Sequence, residues 1–399
     1  MNSNTNQMVV DNIVSSARDI FEPYVQDNKI RVTDVDPENG LELLCYEDCN
    51  DDSSDVIKSC RGIVFNGNDI LMKVFPYTTE IRADDRQLLY KLNNIQNISH
   101  ITDSFEGALI RVFYYDNKWY TTTHRKFDAF RSKWGCQKSF GHIFVESLHS
   151  EMAQNEEFKK SIEDSIGEDV LSRFYHTLQE SKQYMFLVRN IHENRIVCDE
   201  VSYNRVLHVG TFTNGIFDDE TTLLIPKPKR HTFTNNEQLV NYVKNVDIRY
   251  QQGLIIYTSD NKQYKIVNTD YSNFFNIRGN EPSIKFRYLQ LRGDQIRVAM
   301  LLRLYPEYGP EFEQYEHILY ERACFIYEKY VERFIHKQIA VTPQEEYQII
   351  RACHGWHIEN RKTNKVKLDV VIHYMNQQPP TLLNKIIRNV KNNNKMKDN

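Results

Sequence analysis

The sequence predicts an α+β protein, in which a first domain of antiparallel sheets with flanking helices (residues 1–282) precedes an all-helical C-terminal domain (residues 283–399). Short apolar runs bounded by turn residues recur through the first two thirds of the chain, which is typical of paired strands. From about residue 283 the apolar residues follow a helical period instead. A length of 399 residues also suits two domains.

Composition limits the classes of function. The net charge of −4 provides no global attraction for nucleic acid, so any such surface has to be local. The seven cysteines include no CxxC pair, which favours reduced thiols and argues against a zinc site, so no metal ligand is predicted. No apolar run approaches the roughly 18 residues that span a bilayer, and the first residues lack signal-peptide character. We therefore expect an intracellular protein that does not contact membranes.

Strands are predicted where apolar runs flank turn residues such as Asn-Gly or Asp-Asn. Residues 1–50 lack this pattern and are predicted to be irregular, apart from a short helix near 9–21. An acid–glycine loop at 103–107 precedes one of the strands. The predicted strands are 60–65, 70–75, 109–115, 118–123, 185–199 with a turn at 192–194, 206–213, 252–258 and 263–267.

Residues 124–134 combine cations with aromatic rings, as in surfaces that bind single-stranded nucleic acid. The predicted RNA-binding residues are Arg125, Lys126, Arg131 and Lys133. An amphipathic connector with its rings in the core explains the same pattern, and both interpretations stay open.

Helical periodicity predicts the remaining elements. Residues 137–181 read as a mostly exposed helical insertion, and 277–282 as a linker. The many rings in 311–336 indicate either an internal helix or a docking surface for a protein partner. The basic tail, 385–399, is predicted to be disordered. The other predicted helices are 83–92, 236–243, 290–304, 310–336, 343–353, 367–376 and 382–390.

Five short motifs occur in a fixed order. They are C-R-G-I-V-F at 60–65, S-F-E-G-A-L at 104–109, M-F-L-V with N-R-I-V at 185–197, Q-G-L-I at 252–255 and Y-K-I-V at 264–267. In this order they resemble the RNA ligase 1 family of the phage T4 type, in the covalent nucleotidyltransferase superfamily. The resemblance implies a ligase-like nucleotidyltransferase fold for residues 1–282, with ATP and Mg²⁺ as cofactors if the protein is active.

The resemblance also implies that the chemistry is lost. The family's loop lysine, which carries the adenylate, is matched by Ser104, and a serine hydroxyl without a base is a poor nucleophile. Other charged motif positions are matched by neutral residues, so no catalytic residue is predicted. The degenerate motif positions are Ser104, Glu106, Gly107, Phe186, Gln252 and Val267.

The remaining cations predict a mostly positive pocket that binds an anion. The residues predicted to bind nucleotide or phosphate are Arg61, Glu106, Arg189 and Lys265. The leading hypothesis is a pseudoenzyme that acts as a nucleotide- or RNA-binding or adaptor module. One alternative is an active ATP-dependent RNA ligase whose nucleophile is displaced to Lys73, Lys118 or Lys126.

A second alternative is a structural subunit of an RNA-processing or transcription assembly that docks through its helical domain. The Asn- and Lys-rich composition, together with the divergent ligase pattern, resembles proteins of large DNA viruses. The expected location is therefore cytoplasmic or virion-associated.

Overall fold

The computed structural model describes residues 17–190, 196–199 and 202–397, so most of the helix predicted near 9–21 lies outside the described residues, as does the turn at 192–194. The chain divides into two compact units, Met1–Ser272 and Asn273–Asn399. The predicted α+β class is confirmed, with mostly antiparallel sheets followed by a helical C-terminal region. The domain boundary predicted at residue 282 stays a prediction.

The first sheet corrects the prediction that residues 1–50 are irregular. It has the order β1-β2-β3-β4, and all of its neighbours are antiparallel. Charged residues interrupt the apolar pattern of β1, and their partners are distant in sequence: Asp36 accepts a hydrogen bond from Tyr120 at 2.6 Å. The strands are β1 (Ile30–Asp36), β2 (Leu41–Tyr46), β3 (Arg61–Asn66) and β4 (Asp69–Met72).

The second sheet has the order β11-β10-β9-β7-β8 and carries three helices on one face. Those helices were predicted to be mostly exposed, which is wrong, because Ile143, Phe144 and Leu148 are buried against the sheet. The strands are β7 (Ala108–Tyr115), β8 (Lys118–Thr122), β9 (Gln183–Arg189), β10 (Arg205–Thr213) and β11 (Ile216–Phe217), and the helices are α4 (Phe140–Gln154), α5 (Glu156–Glu163) and α6 (Val170–His176).

The third sheet has the order β12-β6-β13-β14-β5, and its edge strand β5 runs parallel to β14. Strand β6 was not predicted, because its sequence I-S-H-I-T-D-S is largely polar. Two helices, α3 and α7, pack on this sheet. The strands are β5 (Thr78–Arg82), β6 (Ile98–Ser104), β12 (Arg230–His231), β13 (Gly253–Thr258) and β14 (Gln263–Val267). The helices of this unit outside the second sheet are α1 (Glu22–Gln26), α2 (Asp55–Ser59), α3 (Leu88–Asn93) and α7 (Asn236–Lys244).

Helix α8 (Thr269–Arg278) was also missed, and it occupies the start of the predicted linker at 277–282. Its first turn is capped by Asn268, whose Oδ1 accepts the N–H groups of Asp270 (2.8 Å) and Tyr271 (3.1 Å). The cap fixes the start of the helix directly after β14, and this places Tyr271 beside the motif strands.

The second unit is a helical bundle around one apolar cluster. The helix predicted at 290–304 is two helices, because Asp294 caps a new one by accepting the N–H groups of Ile296 and Arg297, both at 3.1 Å. The tail predicted to be disordered is helical as far as Lys397. The helices are α9 (Ile284–Leu291), α10 (Gln295–Leu304), α11 (Gly309–Tyr330) with a π-helical turn (Val331–Ile335), α12 (Gln344–Glu359), α13 (Leu368–Asn376) and α14 (Pro380–Lys397). Among the described residues, no helix has the length and apolarity needed to cross a membrane.

Candidate functional site

A cavity of about 230 Å³ lies between the second and third sheets of the first unit. The predicted motif strands converge on it, since β3, β7, β9, β13 and β14 all contribute lining residues, as does the end of β6. One wall is apolar, and it includes Phe75, Leu109, Met185, Leu187, Val209 and Ile255. The polar end carries motif residues from the loop after β6 and from β13 and β14. The cavity therefore combines an apolar wall with convergent polar groups, as small-molecule sites do.

Ser104 ends strand β6 inside this polar end, where it is only 1 % exposed. Its hydroxyl donates a hydrogen bond to Oε1 of Gln252 (3.2 Å), and Nε2 of Gln252 donates to the hydroxyl of Tyr271 (2.9 Å). The N–H of Gln252 also donates to the carbonyl of Ser104 at 2.8 Å. The position that matches the family's lysine thus holds a neutral hydroxyl bonded to a neutral amide.

Glu106 is a buried carboxylate that serves as an acceptor for the backbone. It accepts the N–H groups of Ile196 (3.2 Å), Val197 (2.7 Å) and Cys198 (3.1 Å). Burial raises the pKa of Glu106, and hydrogen bonds from Tyr271 and the three N–H groups offset part of that effect. Glu106 also raises the pKa of Tyr271, which burial already places well above its usual value.

The glycines of two motifs are required by close approach. A Cβ on Gly107 would lie 2.5 Å from the carbonyl oxygen of Val188, so only glycine lets the chain pass β9 here. Gly253 has a φ of +149°, and a Cβ there would overlap the carbonyl of Ile266. The acid–glycine and Gln-glycine pairs therefore mark places where two strands meet closely.

The predicted cations of the cavity differ in their partners. Arg61 donates to the carbonyl of Pro76 (3.2 Å) and to the hydroxyl of Thr78 (2.9 Å). Among the described residues it has no carboxylate partner. Lys265, by contrast, forms an ion pair with Glu80 at 2.8 Å. Arg61 is therefore the cavity cation whose charge is not balanced by an ion pair.

A third acidic residue, Asp103, also lines the cavity. Its Oδ1 is 2.7 Å from Nε2 of His231 and accepts a hydrogen bond from Tyr242 at 3.1 Å. With Glu80 and Glu106, the described lining holds three acids against two cations. The expectation of a mostly positive pocket is therefore wrong, because the sequence pattern did not include Glu80 and Asp103.

Three of the positions predicted for this site do not line the cavity, and they are Phe186, Val267 and Arg189. Phe186 points to the opposite face of β9, where its ring centroid lies 5.5 Å from that of Phe144, and Met185 and Leu187 face the cavity instead. Val267 is buried opposite Gly253.

Arg189 ends β9 with its guanidinium 5.3 Å from the centre of the Phe105 ring, and burial lowers its pKa. Phe105 itself lines the cavity, so Arg189 lies behind the cavity wall.

The segment predicted to bind RNA is mostly engaged with the protein itself. Arg125 pairs with Glu47 (3.3 Å). Lys126 pairs with Asp34 at 3.5 Å, and Arg131 with Asp128 at 3.4 Å. Phe127 is buried in the core, and Lys133 is exposed. The role in RNA binding stays a prediction, but three of its four cations already have acidic partners.

The proposed displaced nucleophiles lie outside the cavity. Lys118 is within 3.8 Å of Asp36, Lys126 pairs with Asp34 as described above, and Lys73 lines a neighbouring cleft. Lys265 is the one lysine among the described lining residues. Within the part of the chain that the structure describes, no group of three or more His, Cys, Asp or Glu residues is arranged to hold a metal ion.

Sequence reasoning missed Tyr271, Asp103 and His231, which complete the polar end of the site. Asp103 and His231 are 128 residues apart, so no spacing rule connects them. The position of Tyr271 just after the closing motif was a usable signal, since a helix starting there turns it back toward the strands.

Comparison with known proteins gives one result for fold and another for family. No family model matches the chain. Among solved structures, the fold is similar to an archaeal ATP-dependent RNA ligase (TM-score 0.37, 10% identity, 69% of this chain and 68% of that one) and to a Naegleria gruberi RNA ligase with PPi (TM-score 0.30, 8% identity, 47% and 54%). Both of these structures are ligases.

The comparison of sequences identifies the family of the chain. The immediate-early protein ICP-46 homolog of Invertebrate iridescent virus 3 is 30% identical over 353 residues, covering 84% of this chain and 74% of the relative. The homolog of Invertebrate iridescent virus 6 is 28% identical over 375 residues (87% and 80%), and ICP-46 of Frog virus 3 is 24% identical over 300 residues (71% and 68%). The chain therefore belongs to the ICP-46 family. Its relation to the T4-type RNA ligases stays a resemblance.

Proposed function

We propose that this protein is a ligase-like module that has lost adenylylation and binds a nucleotide, or the nucleotide at an RNA end, in the cavity. The observation that carries the proposal is the buried chain of hydrogen bonds from Ser104 through Gln252 to Tyr271. A nucleophilic hydroxyl needs an adjacent base to take its proton. Ser104 instead donates a hydrogen bond to the amide oxygen of Gln252, and an amide oxygen is too weak a base to take the hydroxyl proton.

The carboxylates of the cavity also do not fit a catalytic magnesium ion. Mg²⁺ is bound through anionic oxygens in a strict octahedral arrangement. Glu80 is paired with Lys265, Asp103 with His231, and Glu106 with three backbone N–H groups. Each acid is therefore engaged by a protein donor, and among the described residues the three acids do not form a group that could hold a metal ion.

Two features support retained binding. The apolar wall suits the face of a base, because planar heterocycles bury well against aliphatic side chains. Arg61 suits a phosphate, because a guanidinium without a carboxylate partner offers paired donors to phosphate oxygens. A nucleotide presents both chemistries in one molecule.

The alternative of an active ligase requires another amine in the cavity. Lys265 is the lysine in position, but its ammonium is paired with Glu80. The Lys265 side chain would have to leave this ion pair before its amine could attack a nucleotide. The loss of adenylylation therefore agrees better with the contacts.

The test has two measurements on the full chain. Incubation with radiolabelled ATP and Mg²⁺ or Mn²⁺ is expected to give no protein–AMP adduct, and an acid-labile adduct mapped to a lysine would overturn the proposal. Calorimetric titration with ATP is expected to detect binding that Arg61→Ala weakens about tenfold. Arg86→Ala, which removes an exposed arginine outside the cavity, is the control and should leave affinity unchanged. Equal binding by both variants would also count against the proposal.

A second candidate function, a protein-binding adaptor, is supported by the second unit. Ile339 is 96 % exposed and Val341 83 %, and both lie in the segment between α11 and α12. Neighbouring apolar side chains with this exposure are typical of a protein contact. Replacing both by aspartate should abolish recovery of a partner from producing cells, while ATP titration stays unchanged. Recovery equal to that of the wild type would remove this candidate.

A further inference from the structure

A second opening in the first unit, here called the lysine cleft, has a volume of about 470 Å³. It lies where loops of all three sheets converge: helix α2, the link from β4 to β5, and the turns after β10 and β13. Its lining includes Lys58, Lys73 and Lys262, which come from three separate elements. The net charge of the protein is negative, so this concentration of three ammonium groups from distant parts of the chain is a local feature of the cleft.

The lysines of the cleft are poorly compensated by acids. Lys262 pairs with Asp260 at 2.8 Å. Lys58 donates only to the carbonyl oxygen of Asp51, at 2.6 Å. Lys73 forms no hydrogen bond or ion pair with any residue that the structure describes. Two of the three positive charges are therefore available to an anion.

The remaining acid of the cleft, Asp55, has a local role. It stands in the first turn of α2, directly after the N-cap Ser54, where the helix dipole favours a carboxylate. Its presence reduces the positive field of the cleft without forming an ion pair with Lys58 or Lys73. The contrast with segment 124–134 is clear, because there three of four cations are held by carboxylates.

Aromatic rings accompany the lysines. Tyr77 and Tyr264 line the cleft, and both are partly exposed. Burial raises the pKa of Tyr77 to about 12, so its ring stays uncharged near neutral pH. Ammonium groups that meet phosphates, beside rings on which bases stack, are the features of sites for single-stranded nucleic acid.

The cleft is connected to the cavity through Gln263, which lines both. Thr78 donates to Oε1 of Gln263 at 2.9 Å, and Arg61 donates to Thr78 at 2.9 Å. The uncompensated guanidinium of the cavity is thus two hydrogen bonds away from the cleft. A ligand with phosphates in both places would cross the edge formed by β5 and β14.

We propose that the lysine cleft binds the backbone phosphates of a single-stranded nucleic acid whose terminal nucleotide occupies the cavity. The proposal rests on the proposed function for the placement of that terminal nucleotide, but the lysines and tyrosines support strand binding by themselves. A single strand is favoured over a duplex because stacking on Tyr77 and Tyr264 requires bases that are not paired. In this proposal the lysine cleft, and not segment 124–134, is the main site for single-stranded nucleic acid.

The experiment measures binding of a fluorescein-labelled oligouridylate to the full chain by anisotropy over a range of salt concentrations. Lys58→Gln with Lys73→Gln should weaken binding about tenfold and lower the slope of log affinity against log salt by about 1.4, or about 0.7 for each phosphate contact. Lys159→Gln with Lys160→Gln on α5 removes the same charge elsewhere and should change affinity by less than about twofold. Thermal unfolding checks that both double variants are folded.

Several results would overturn the proposal. These are an unchanged affinity for the cleft variant, a larger loss for Arg131→Gln with Lys133→Gln, and equal binding of a duplex or of a poly-glutamate peptide. Absence of salt dependence in the unmodified chain would do so without any variant. Failure of the proposed function gives a different result. In that case ATP does not bind and Arg61→Ala has no effect, while binding of the oligouridylate still depends on Lys58 and Lys73.

Discussion

The cavity and the lysine cleft share the lining residue Gln263, but their polar side chains differ in burial and in bonding partners. On the cavity side, Ser104, Gln252 and Glu106 are buried and bonded to protein partners. On the cleft side, Lys58 and Lys73 are partly exposed and lack acidic partners. A buried polar group must be satisfied within the fold, whereas a partly exposed cation is hydrated until a ligand arrives. Substitutions of these buried cavity residues should therefore change stability, and those of the cleft lysines should change binding.

The largest effect is expected when the lysine of the resembling RNA ligase motif is introduced, as Ser104→Lys. Ser104 is fully buried beside the neutral amide of Gln252, and the acids of the cavity are already engaged by Lys265, His231 and backbone N–H groups. An ammonium at position 104 would therefore compete for carboxylates that already have partners. The free energy of unfolding should fall by about 4–5 kcal/mol, measured by urea denaturation at neutral pH. Adding Gln252→Glu supplies a carboxylate and should recover about 2 kcal/mol or more.

The control for this pair is Ser99→Lys, which places the same residue at an exposed position of the same strand, β6. Its cost should stay below about 1 kcal/mol, because the ammonium remains hydrated. A small cost for Ser104→Lys, or no recovery with Gln252→Glu, would mean that the cavity admits water freely. The contrast between a cavity whose buried polar groups are hydrogen-bonded within the protein and a cleft whose lysines are hydrated would then not hold.

The next largest effect is expected for Glu106→Gln. An amide keeps one of the two oxygen acceptors, so one or more of the N–H groups of Ile196, Val197 and Cys198 would lose its partner. An unsatisfied buried donor is costly, and we expect a loss of about 3–4 kcal/mol in the free energy of unfolding. The control Glu80→Gln removes an exposed carboxylate and should cost less than about 1 kcal/mol. Equal losses for the two variants would contradict the structural role of Glu106.

Local patterns predicted those parts of the fold and site that depend on neighbouring residues. The hairpins β3–β4, β7–β8 and β13–β14 follow from apolar runs around turn residues, and the ordered motifs on these strands lead to the cavity. The acceptor role of Glu106 was not predictable, because its three donors lie 90 to 92 residues away. The pairing of Arg125 with Glu47, 78 residues apart, was not predictable for the same reason. Charge compensation depends on three-dimensional contacts, so composition alone could not show that three of the four cations in segment 124–134 have acidic partners.

The pH dependence of stability gives a third test on the cavity side. His208 is buried in β10 beside the lining residue Val209, and burial lowers its pKa to about 4. The folded state therefore favours the neutral ring, while the unfolded chain takes up a proton below about pH 6.5. Stability is fully present above pH 6.5 and should fall by about 3 kcal/mol as the pH drops toward 4.

His208→Gln removes this titration, so its free energy of unfolding should vary less with pH than that of the unmodified chain, as measured by urea denaturation across that range. Some slope will remain, because burial also lowers the pKa of His100, to about 4, and that of His124. The matched control is His317→Gln on α11, which makes the same substitution at an exposed position. Identical profiles for His208→Gln and the unmodified chain would indicate that water reaches the ring in the folded state.

The smallest effect is expected for Ser104→Ala. It removes one hydrogen bond and leaves Oε1 of Gln252 without that donor, so stability should fall by about 1 kcal/mol. Ser147→Ala is the control, because that buried hydroxyl donates to the carbonyl of Ile143 at 2.8 Å within α4, away from the site. If both variants lose the same stability and both bind ATP as the unmodified chain does, the hydroxyl of Ser104 has a structural role only. If Ser104→Ala alone changes ATP affinity, the hydroxyl faces the ligand. The cavity then resembles the cleft in having a polar group that is available to bind a ligand.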